Sequence, residues 1–164
     1  MIEKVQWWIA NRMQIHLDTD DDRVDNQGPG TEDEAYAKIE EVFGVYPVKR
    51  SYLPKDMVFS KVVIDEELQN ARLYYKKGNE KWIYCTIWFQ YRSASVGIDA
   101  EDGVIGQSQI DVSGNEIYIK KYNVENGKTR YQVEFEYQKA HYFVWCLGLT
   151  DQEVENFVKN LKFF

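Results

Sequence analysis

The amino-acid sequence predicts an α+β fold, with one curved, mainly antiparallel β-sheet of about six to eight strands and two or three helices packed on it. Residues 57–148 form a series of apolar or alternating runs, and the turn signals between these runs are short. Connections this short join antiparallel strands. A capped amphipathic helix stands at each end of the series, so we expect a single domain over residues 31–164.

The first 30 residues are expected to form an N-terminal segment that ends in an acidic loop. A helical stripe runs from Val5 to Met13, and a strand-like alternation continues to Leu17. We therefore expect a short helix followed by a strand over residues 3–17. Residues 18–30 are polar and contain glycine and proline, which indicates a loop.

The first helix of the domain is predicted over residues 32–43. Thr31-Glu32-Asp33-Glu34 has the capping-box pattern, in which a threonine and a glutamate three positions later satisfy each other's backbone N–H groups. Gly44 is suited to end the helix, and Pro47 cannot continue it. The expected apolar face consists of Ala35, Ile39, Val42 and Phe43.

Seven strands are predicted after this helix. Their turns contain glycine and asparagine, as hairpin turns require: Gly78-Asn79, Asp102-Gly103, Ser113-Gly114-Asn115 and Glu125-Asn126-Gly127. The expected strands cover residues 57–65, 70–77, 80–91, 104–111, 115–123, 128–138 and 141–148.

These strands differ in the polarity of their two faces. Residues 81–91 and 141–147 are apolar on both faces, so we expect both strands to be central and covered on both sides, with the two capped helices as the covers. In residues 128–138, one face is apolar and the other carries glutamine and glutamate, which predicts one wet face.

The last helix is predicted over residues 151–161. Thr150 and Glu153 form a second capping-box pattern. Apolar residues then recur at helical spacing and are expected to pack against the sheet: Val154, Phe157, Val158 and Leu161.

The charge of the chain argues against a nucleic-acid partner. Lysine and arginine number 20 against 27 aspartate and glutamate, which gives a formal net charge of −7. Phosphate binding requires clustered basic residues. Aromatic residues make up 15% of the chain and fall mostly in strand-like runs, which favours core packing over an exposed stacking surface.

The sequence predicts neither a metal site nor a cofactor. Asp18-Thr19-Asp20-Asp21-Asp22 is similar to the start of a calcium loop, but Arg23 and Pro29 stand where glycine and glutamate are required, so we expect a solvated loop. His16 and His141 lack nearby cysteine or carboxylate ligands. Cys85 and Cys146 lie far apart in apolar runs and are expected to be free, buried thiols. The sequence leaves open whether these two thiols are close in space.

No residue pattern predicts an enzyme. Cys146 and His141 lie at odd spacing on one strand, so their side chains point to opposite faces. Glu134 and Glu136 share a face, as paired catalytic carboxylates do, but exposed glutamates on a wet strand are the preferred interpretation, and a hydrolase that uses either one is the least favoured alternative. The segment 103–106 lacks the lysine and the spacing of a phosphate-binding loop.

A family resemblance rests on the order of these segments. Leu53-Pro54 opens the first strand, and Ile64-Asp65-Glu66-Glu67-Leu68-Gln69-Asn70-Ala71-Arg72-Leu73-Tyr74-Tyr75 follows it. Near the end stand Phe135-Glu136-Tyr137, Tyr142, Leu147, Thr150-Asp151-Gln152-Glu153, Phe157, Leu161 and Phe163. Over residues 31–164 the chain resembles the domain-of-unknown-function 4367 family of Gram-positive, mostly clostridial, bacteria. Its outline is also similar to the PsbP/Mog1-like α+β folds.

The resemblance implies a place outside the cell behind one N-terminal membrane helix, because relatives of this kind are arranged in that way. That helix is not part of this chain, so residues 1–30 would be juxtamembrane and the chain a trimmed or processed ectodomain. Some relatives resemble the extracytoplasmic part of anti-sigma-type regulators, and the family supplies no catalytic residues. We therefore expect a non-enzymatic interaction or sensing domain whose partner is a protein or an envelope component. The alternative is a binder of a small apolar or carbohydrate ligand in a sheet-lined pocket.

Overall fold

The computed structural model of the chain describes residues 30–89, 103–123 and 128–163. Seven strands in this part form one open antiparallel sheet with two helices, which confirms the predicted α+β fold. The elements are α1 (Glu32–Phe43), β1 (Val58–Asp65), β2 (Asn70–Lys77), β3 (Lys81–Trp88), β4 (Val104–Val112), β5 (Asn115–Asn123), β6 (Thr129–Tyr137), β7 (Ala140–Leu147) and α2 (Asp151–Lys159).

The strands lie in the order β1-β2-β3-β7-β6-β5-β4. Neighbours in the sheet are also neighbours in the chain, except that β3 pairs with β7. β7 is therefore the middle strand and β3 lies beside it, which confirms the prediction that these two strands are central. Among the described strands, β1 and β4 lie at the two edges of the sheet.

Both helices begin with the predicted capping boxes. The Thr31 hydroxyl accepts from the Glu34 N–H, and the Glu34 carboxylate accepts from the Thr31 N–H. Thr150 and Glu153 make the same reciprocal pair at α2. α1 ends at Gly44, whose φ of 71° is the left-handed conformation that glycine adopts without strain.

The main core lies on one face of the sheet, between the strands and the two helices. Ala35 and Ile39 of α1 and Phe157 and Val158 of α2 belong to one cluster of buried side chains that also includes inward residues of all seven described strands. Leu161, just after α2, is buried in the same cluster. The predicted burial of the closing helix is confirmed.

β7 is buried on both faces, as predicted, but the expectation that the two helices cover the two faces is wrong, because α1 and α2 both pack into the one core cluster on the same face. The amphipathic pattern of a helix predicts which side of the helix is buried, but it does not predict which side of the sheet receives it. The predicted wet face of β6 is also wrong at one position. Gln132 is only 3% exposed, and its side-chain oxygen accepts a hydrogen bond from the Tyr122 hydroxyl at 3.1 Å.

Two tight connections shape the centre of the sheet. The β6–β7 turn places Gln138 and Lys139 at positive φ, although the sequence contains no glycine there. Gly148, which follows β7, has a φ of +83°, and a Cβ atom at this position would lie 2.1 Å from the carbonyl oxygen of Glu80. The end of β7 can therefore pass the β2–β3 turn only with glycine at this position.

Several predicted features lie outside the described residues. These are the helix and strand of residues 3–17, the acidic loop with Arg23 and Pro29, His16, and the Glu125-Asn126-Gly127 turn.

Candidate interaction site

An open pocket of about 240 Å³ lies on the helix-covered face of the sheet, between α2 and the edge strand β4. Its floor is apolar and is formed by Ile110, Ile119 and Val154. Its polar lining comes from four different elements: Gly106, Gln107, Ser108, Lys121, Tyr131, Asp151 and Glu155. An apolar floor with a few polar groups is the usual composition of a binding pocket in proteins.

Three polar side chains in this lining contact one another. The Lys121 ammonium donates to Asp151 Oδ1 at 2.9 Å, and the Tyr131 hydroxyl donates to the same oxygen. Lys121 Nζ also lies 5.7 Å from the centre of the Tyr131 ring. The sheet and the first turn of α2 are therefore joined through one carboxylate at the pocket.

The contacts among these three groups shift their pKa values in the directions expected for an ion pair with a hydrogen-bonded phenol. The hydrogen bonds from Tyr131 and Lys121 lower the pKa of the Asp151 carboxyl below its ordinary value. The hydrogen bond to Asp151 raises the pKa of Lys121. Burial, followed by the hydrogen bond to Asp151, raises the pKa of the Tyr131 hydroxyl. Near neutral pH, Asp151 and Lys121 are charged and Tyr131 is neutral.

The strand β4 forms one wall of the pocket and is also an exposed edge of the sheet. Gln107, Ser108, Gln109 and Asp111 are exposed, and Ile105 is 56% exposed. In the described part of the chain, the sheet ends at this strand. The only charged side chain of β4 is that of Asp111.

The opposite edge of the sheet differs from β4 in two ways. β1 contains an irregularity in its pairing between Phe59 and Lys61, and it carries a lysine at the centre of the strand. A bulge and an edge lysine both discourage the addition of another strand. The pairing irregularity of β4 lies at its start, between Val104 and Gly106, so the rest of that strand is regular.

The second face of the sheet holds a chain of polar contacts. The Tyr122 hydroxyl donates to Gln132, and the Gln132 amide lies 3.5 Å from Glu134 Oε1. Glu134 Oε2 lies 3.0 Å from His141 Nε2. These four residues stand on β5, β6 and β7, and alternation along the strands places their side chains on the face opposite the two helices.

Aromatic rings surround a guanidinium on this second face. The Arg130 guanidinium lies 4.8 Å from the centre of the Tyr122 ring and 5.0 Å from the Trp145 ring. Burial lowers the pKa of Arg130, although the guanidinium remains charged at neutral pH. Tyr74 and Tyr84 meet edge to face, with their ring centres 4.8 Å apart. These contacts are typical of packing between rings and cations on a sheet face.

A third polar cluster joins the start of α1 to the sheet. The Glu32 carboxylate accepts from Arg50 Nε at 2.9 Å, from the Tyr75 hydroxyl at 2.6 Å and from the Tyr36 hydroxyl at 3.1 Å. Arg50 Nη2 donates to the other carboxylate oxygen of Glu32. Burial and the neighbouring Glu32 charge raise the pKa of Tyr36. All the named donors share one carboxylate, which ties the start of α1 to β2 and to the segment before β1.

The paired glutamates of β6 do not converge on a cleft. Glu134 is bound to His141, whereas Glu136 is exposed on the same strand. The prediction that His141 lacks a nearby carboxylate is wrong, because Glu134 stands on the neighbouring strand, although the two are seven positions apart in sequence. Cys146 belongs to the core cluster, while His141 contacts Glu134 on the other face, which agrees with their predicted separation.

The structure describes Cys85 and Cys146 as free thiols on neighbouring strands; Cys146 is buried as predicted, whereas Cys85 is only partly buried, so the prediction of two buried thiols is wrong for Cys85. Cys85 is opposite Val144 and Cys146 is opposite Ile83, so the two cysteines share a face in diagonal positions. Diagonal residues of an antiparallel pair are about 7–8 Å apart, which exceeds the usual Cα separation of a disulfide. Burial raises the pKa of Cys85 to about 12 and also raises that of Cys146.

The sequence did not predict the pocket. Lys121, Tyr131 and Asp151 are far apart in the chain, and only Asp151 lay in a noted motif, as the first residue after the cap of α2. Tyr131 lies on the face of residues 128–138 that is apolar in sequence, and this face does lie in the core beneath the helices. A polar residue on a strand face that a helix covers is the signal that would have identified Lys121.

Within the described ranges, no group of three or more histidine, cysteine, aspartate or glutamate side chains is arranged to hold a metal ion. No helix in those ranges is long and apolar enough to cross a membrane.

Comparison with protein families gives a match over most of the chain. Its residues 47–161 match the model of a family described as Domain of unknown function (DUF4367). The match runs from the segment before β1 to the residue that packs just after α2, and it leaves out α1. No curated protein matches the chain. Because the match covers well over half of its length, the chain belongs to the DUF4367 family.

Proposed function

We propose that this chain is a non-enzymatic interaction or sensing domain of a membrane-anchored bacterial protein, placed outside the cytoplasm. The observation that carries the proposal is the open pocket beside the exposed edge strand β4. An edge with regular pairing groups and an adjacent pocket suit the recognition of another molecule. The extracytoplasmic place and the anchor rest on what resemblance to the DUF4367 family implies.

The state of the acidic and basic groups supports a binding role over a catalytic one. Glu32 is held by Arg50 and two tyrosines, and Glu153 is held by Lys81 at 2.6 Å. Glu134, one of the two glutamates considered for catalysis, is paired with His141. Each of these carboxylates has a structural partner.

The test of this proposal uses the complete membrane-anchored protein in its native bacterium. A protease added to intact cells should digest the domain, because we expect it to face the outside. Photo-crosslinking from an exposed site such as Gln109, followed by purification from the membrane, should give one protein adduct that is absent when the probe is moved to the exposed Glu67. A domain that is protected in intact cells, or that gives no protein adduct, would contradict the proposal.

A second candidate function is the binding of a small apolar or carbohydrate ligand. The apolar floor of the pocket favours this candidate, and its volume of about 240 Å³, just below the usual range of about 300–1,000 Å³ for ligand sites, limits the ligand to a small one. Co-purification of a lipid or glycan with the domain, and its loss when Ile119→Asp introduces a charge into the pocket floor, would favour the ligand over a protein partner.

A further inference from the structure

We propose that Arg130, held between two aromatic rings on the second face of the sheet, forms an oxyanion-binding site that takes a carboxylate or phosphate group of a ligand. This site lies on the face opposite the two helices and is separate from the pocket beside α2. The inference therefore goes beyond the proposed function and does not depend on it.

Two buried rings fix the position of the Arg130 guanidinium. Its central carbon lies 4.8 Å from the centre of the Tyr122 ring and 5.0 Å from the centre of the Trp145 ring. Both ring-bearing residues are buried, so they have little freedom to move away. Contact with ring faces does not use the N–H groups of the guanidinium, because these groups point outward in its plane. Arg130 therefore presents a fixed fork of hydrogen-bond donors.

This fork has no acidic partner in the described part of the chain. The neighbours of Arg130 in register are Tyr122 on β5 and Leu147 on β7. Glu134 is four positions away on the same strand, which corresponds to about 13 Å. Its carboxylate is bound to His141. An anion that bound Arg130 would therefore not have to displace any carboxylate that the structure describes.

Burial makes the unpaired charge of Arg130 unfavourable. Burial lowers the pKa of Arg130, and no carboxylate of the described residues offsets this effect. A guanidinium that is partly removed from water without a counter-ion loses hydration and gains no ion pair in return. An oxyanion on the fork would supply the missing ion pair.

A second donor beside the fork also lacks a partner. Arg130 Nε and Trp145 Nε1 are both buried and have no hydrogen-bond partner among the described residues. The Trp145 side chain is only 4% exposed, so water has little access to its N–H group. Unpaired buried donors are unfavourable. An oxyanion, which carries several acceptor oxygens and no donor, is the chemical complement of these groups.

The site has an opening and a further cation at its rim. Arg130 is half-buried, and Nε is the one guanidinium nitrogen among the fully buried, unpartnered atoms, so the outer edge of the fork reaches the surface. Lys128 stands two positions earlier and is exposed. Its ammonium donates to the carbonyl oxygen of Asn79 at 3.3 Å, a neutral partner that leaves the lysine charge uncompensated.

The geometry suits either of two oxyanion groups. A carboxylate and a phosphate each offer two oxygens to the parallel N–H groups of one guanidinium. A phosphate carries about two negative charges near neutral pH, whereas a carboxylate carries a single charge. Because Lys128 adds a second cation beside Arg130, we expect a phosphate to bind more tightly than a carboxylate.

The experiment titrates the complete, isotopically labelled chain at neutral pH and follows two side-chain signals by two-dimensional NMR. These signals are the Nε–H of Arg130 and the indole N–H of Trp145. The probes are sodium phosphate and sodium acetate, and sodium chloride at the same ionic strength is the control. Both oxyanions should shift both signals along saturating curves, with phosphate about threefold or more tighter than acetate. Chloride should produce no saturating shift.

The order of the two affinities distinguishes the two ligand groups. Tighter binding of phosphate assigns the site to a phosphate group, and tighter binding of acetate assigns it to a carboxylate. Equal, unsaturated shifts with all three salts would be a general effect of salt and would overturn the proposal. A carboxylate of the chain itself on the fork would exclude both probes, so a lack of binding would also overturn it.

Variants test whether the fork, rather than positive charge alone, binds the oxyanion. Arg130→Lys keeps the charge and removes the fork, and it should weaken binding of both probes by about tenfold or more. Lys61→Gln is the control, because Lys61 lies 5.2 Å from the Tyr74 ring on the same face but on β1, four strands from β6. It should leave binding unchanged. Full affinity in Arg130→Lys, or equal losses in the two variants, would overturn the proposal.

A stability measurement keeps the test decisive if Arg130→Lys disturbs the packing of the rings. A ligand that binds only the folded chain raises the melting temperature as its concentration increases. Relative to chloride at equal ionic strength, phosphate should raise the melting temperature of the Lys61→Gln variant and leave that of Arg130→Lys unchanged. An equal rise in both variants would place the anion elsewhere on the chain and overturn the proposal.

Discussion

The carboxylate of Glu32 is expected to be the most important single polar group for the attachment of α1 to the sheet. Glu32→Gln preserves the size of the side chain and removes its charge, while Arg50 and Tyr75 keep their positions. The Glu32 and Arg50 side chains are 14% and 23% exposed, so solvent screens their ion pair only in part. Breaking a buried pair costs about 3–5 kcal/mol, and with this exposure we expect a loss of about 2–3 kcal/mol in the free energy of unfolding.

The assay is urea unfolding followed by circular dichroism, with Glu41→Gln as the matched control. Glu41 stands on the same helix, but its side chain is 69% exposed and contacts only Lys38 in an i,i+3 pair. We expect this control to change the free energy of unfolding by less than about 0.5 kcal/mol. Equal effects of the two substitutions would refute the reasoning, because they would show that the partners of Glu32 contribute nothing beyond a surface charge.

Three further predictions concern the core, the closing helix and the thiols. Phe157→Ala removes a ring that is only 2% exposed and should cost about 3–5 kcal/mol, whereas Tyr46→Ala, at a ring that is 60% exposed, should be nearly neutral in thermal unfolding. Burial favours a higher pKa for Glu153, but hydrogen bonds from Lys81 and Thr150 outweigh it and lower the pKa. The contribution of Glu153 to stability is therefore fully present above its ordinary pKa of 4.5 and is lost as the pH falls through its lower folded value. Glu153→Gln should therefore make the free energy of unfolding depend less on pH in the acid range, while Glu136→Gln should not. The buried Cys146 should react with a thiol reagent only after denaturation, whereas the partly buried Cys85, whose thiol pKa is raised, should react slowly in the folded chain; fast reaction of either thiol before denaturation, or no thiols without reductant, would contradict this.

Local patterns predicted the strands and helices well because each depends on residues that are close in sequence. The two capping boxes, the left-handed glycine after α1 and the alternation within β6 are all contained in short windows. The β6–β7 turn was not recognised as a glycine-type turn, because Gln138 and Lys139 adopt positive φ without the usual residues. The pairing of the flanking strands holds them there, and tertiary structure overrides the local preference.

Contacts between elements that are distant in the chain could not be predicted from the sequence, for a different reason. The link between Glu32 and Arg50 joins a helix end to a segment before β1, and the His141–Glu134 pair requires knowledge that β6 and β7 are paired in one register. The amphipathic pattern of a helix likewise does not encode which face of the sheet the helix covers. The sequence therefore located both helices correctly in the chain but did not predict that they pack on the same face.

The β4 edge shows that the order of strands in the sheet determines whether a strand is central or at an edge. Nothing in the sequence of residues 104–112 marks an edge: it lacks the central lysine that β1 carries, and it is not rich in apolar residues on both faces as β3 and β7 are. β4 follows β3 in the chain, but three strands separate them in the sheet, because β7 occupies the place beside β3. That single nonsequential pairing turns a polar, weakly charged strand into an exposed edge next to α2. The same pairing brings Gly106 and Ser108 to the side of the pocket, so the pocket beside α2 is a consequence of topology that no local motif contains.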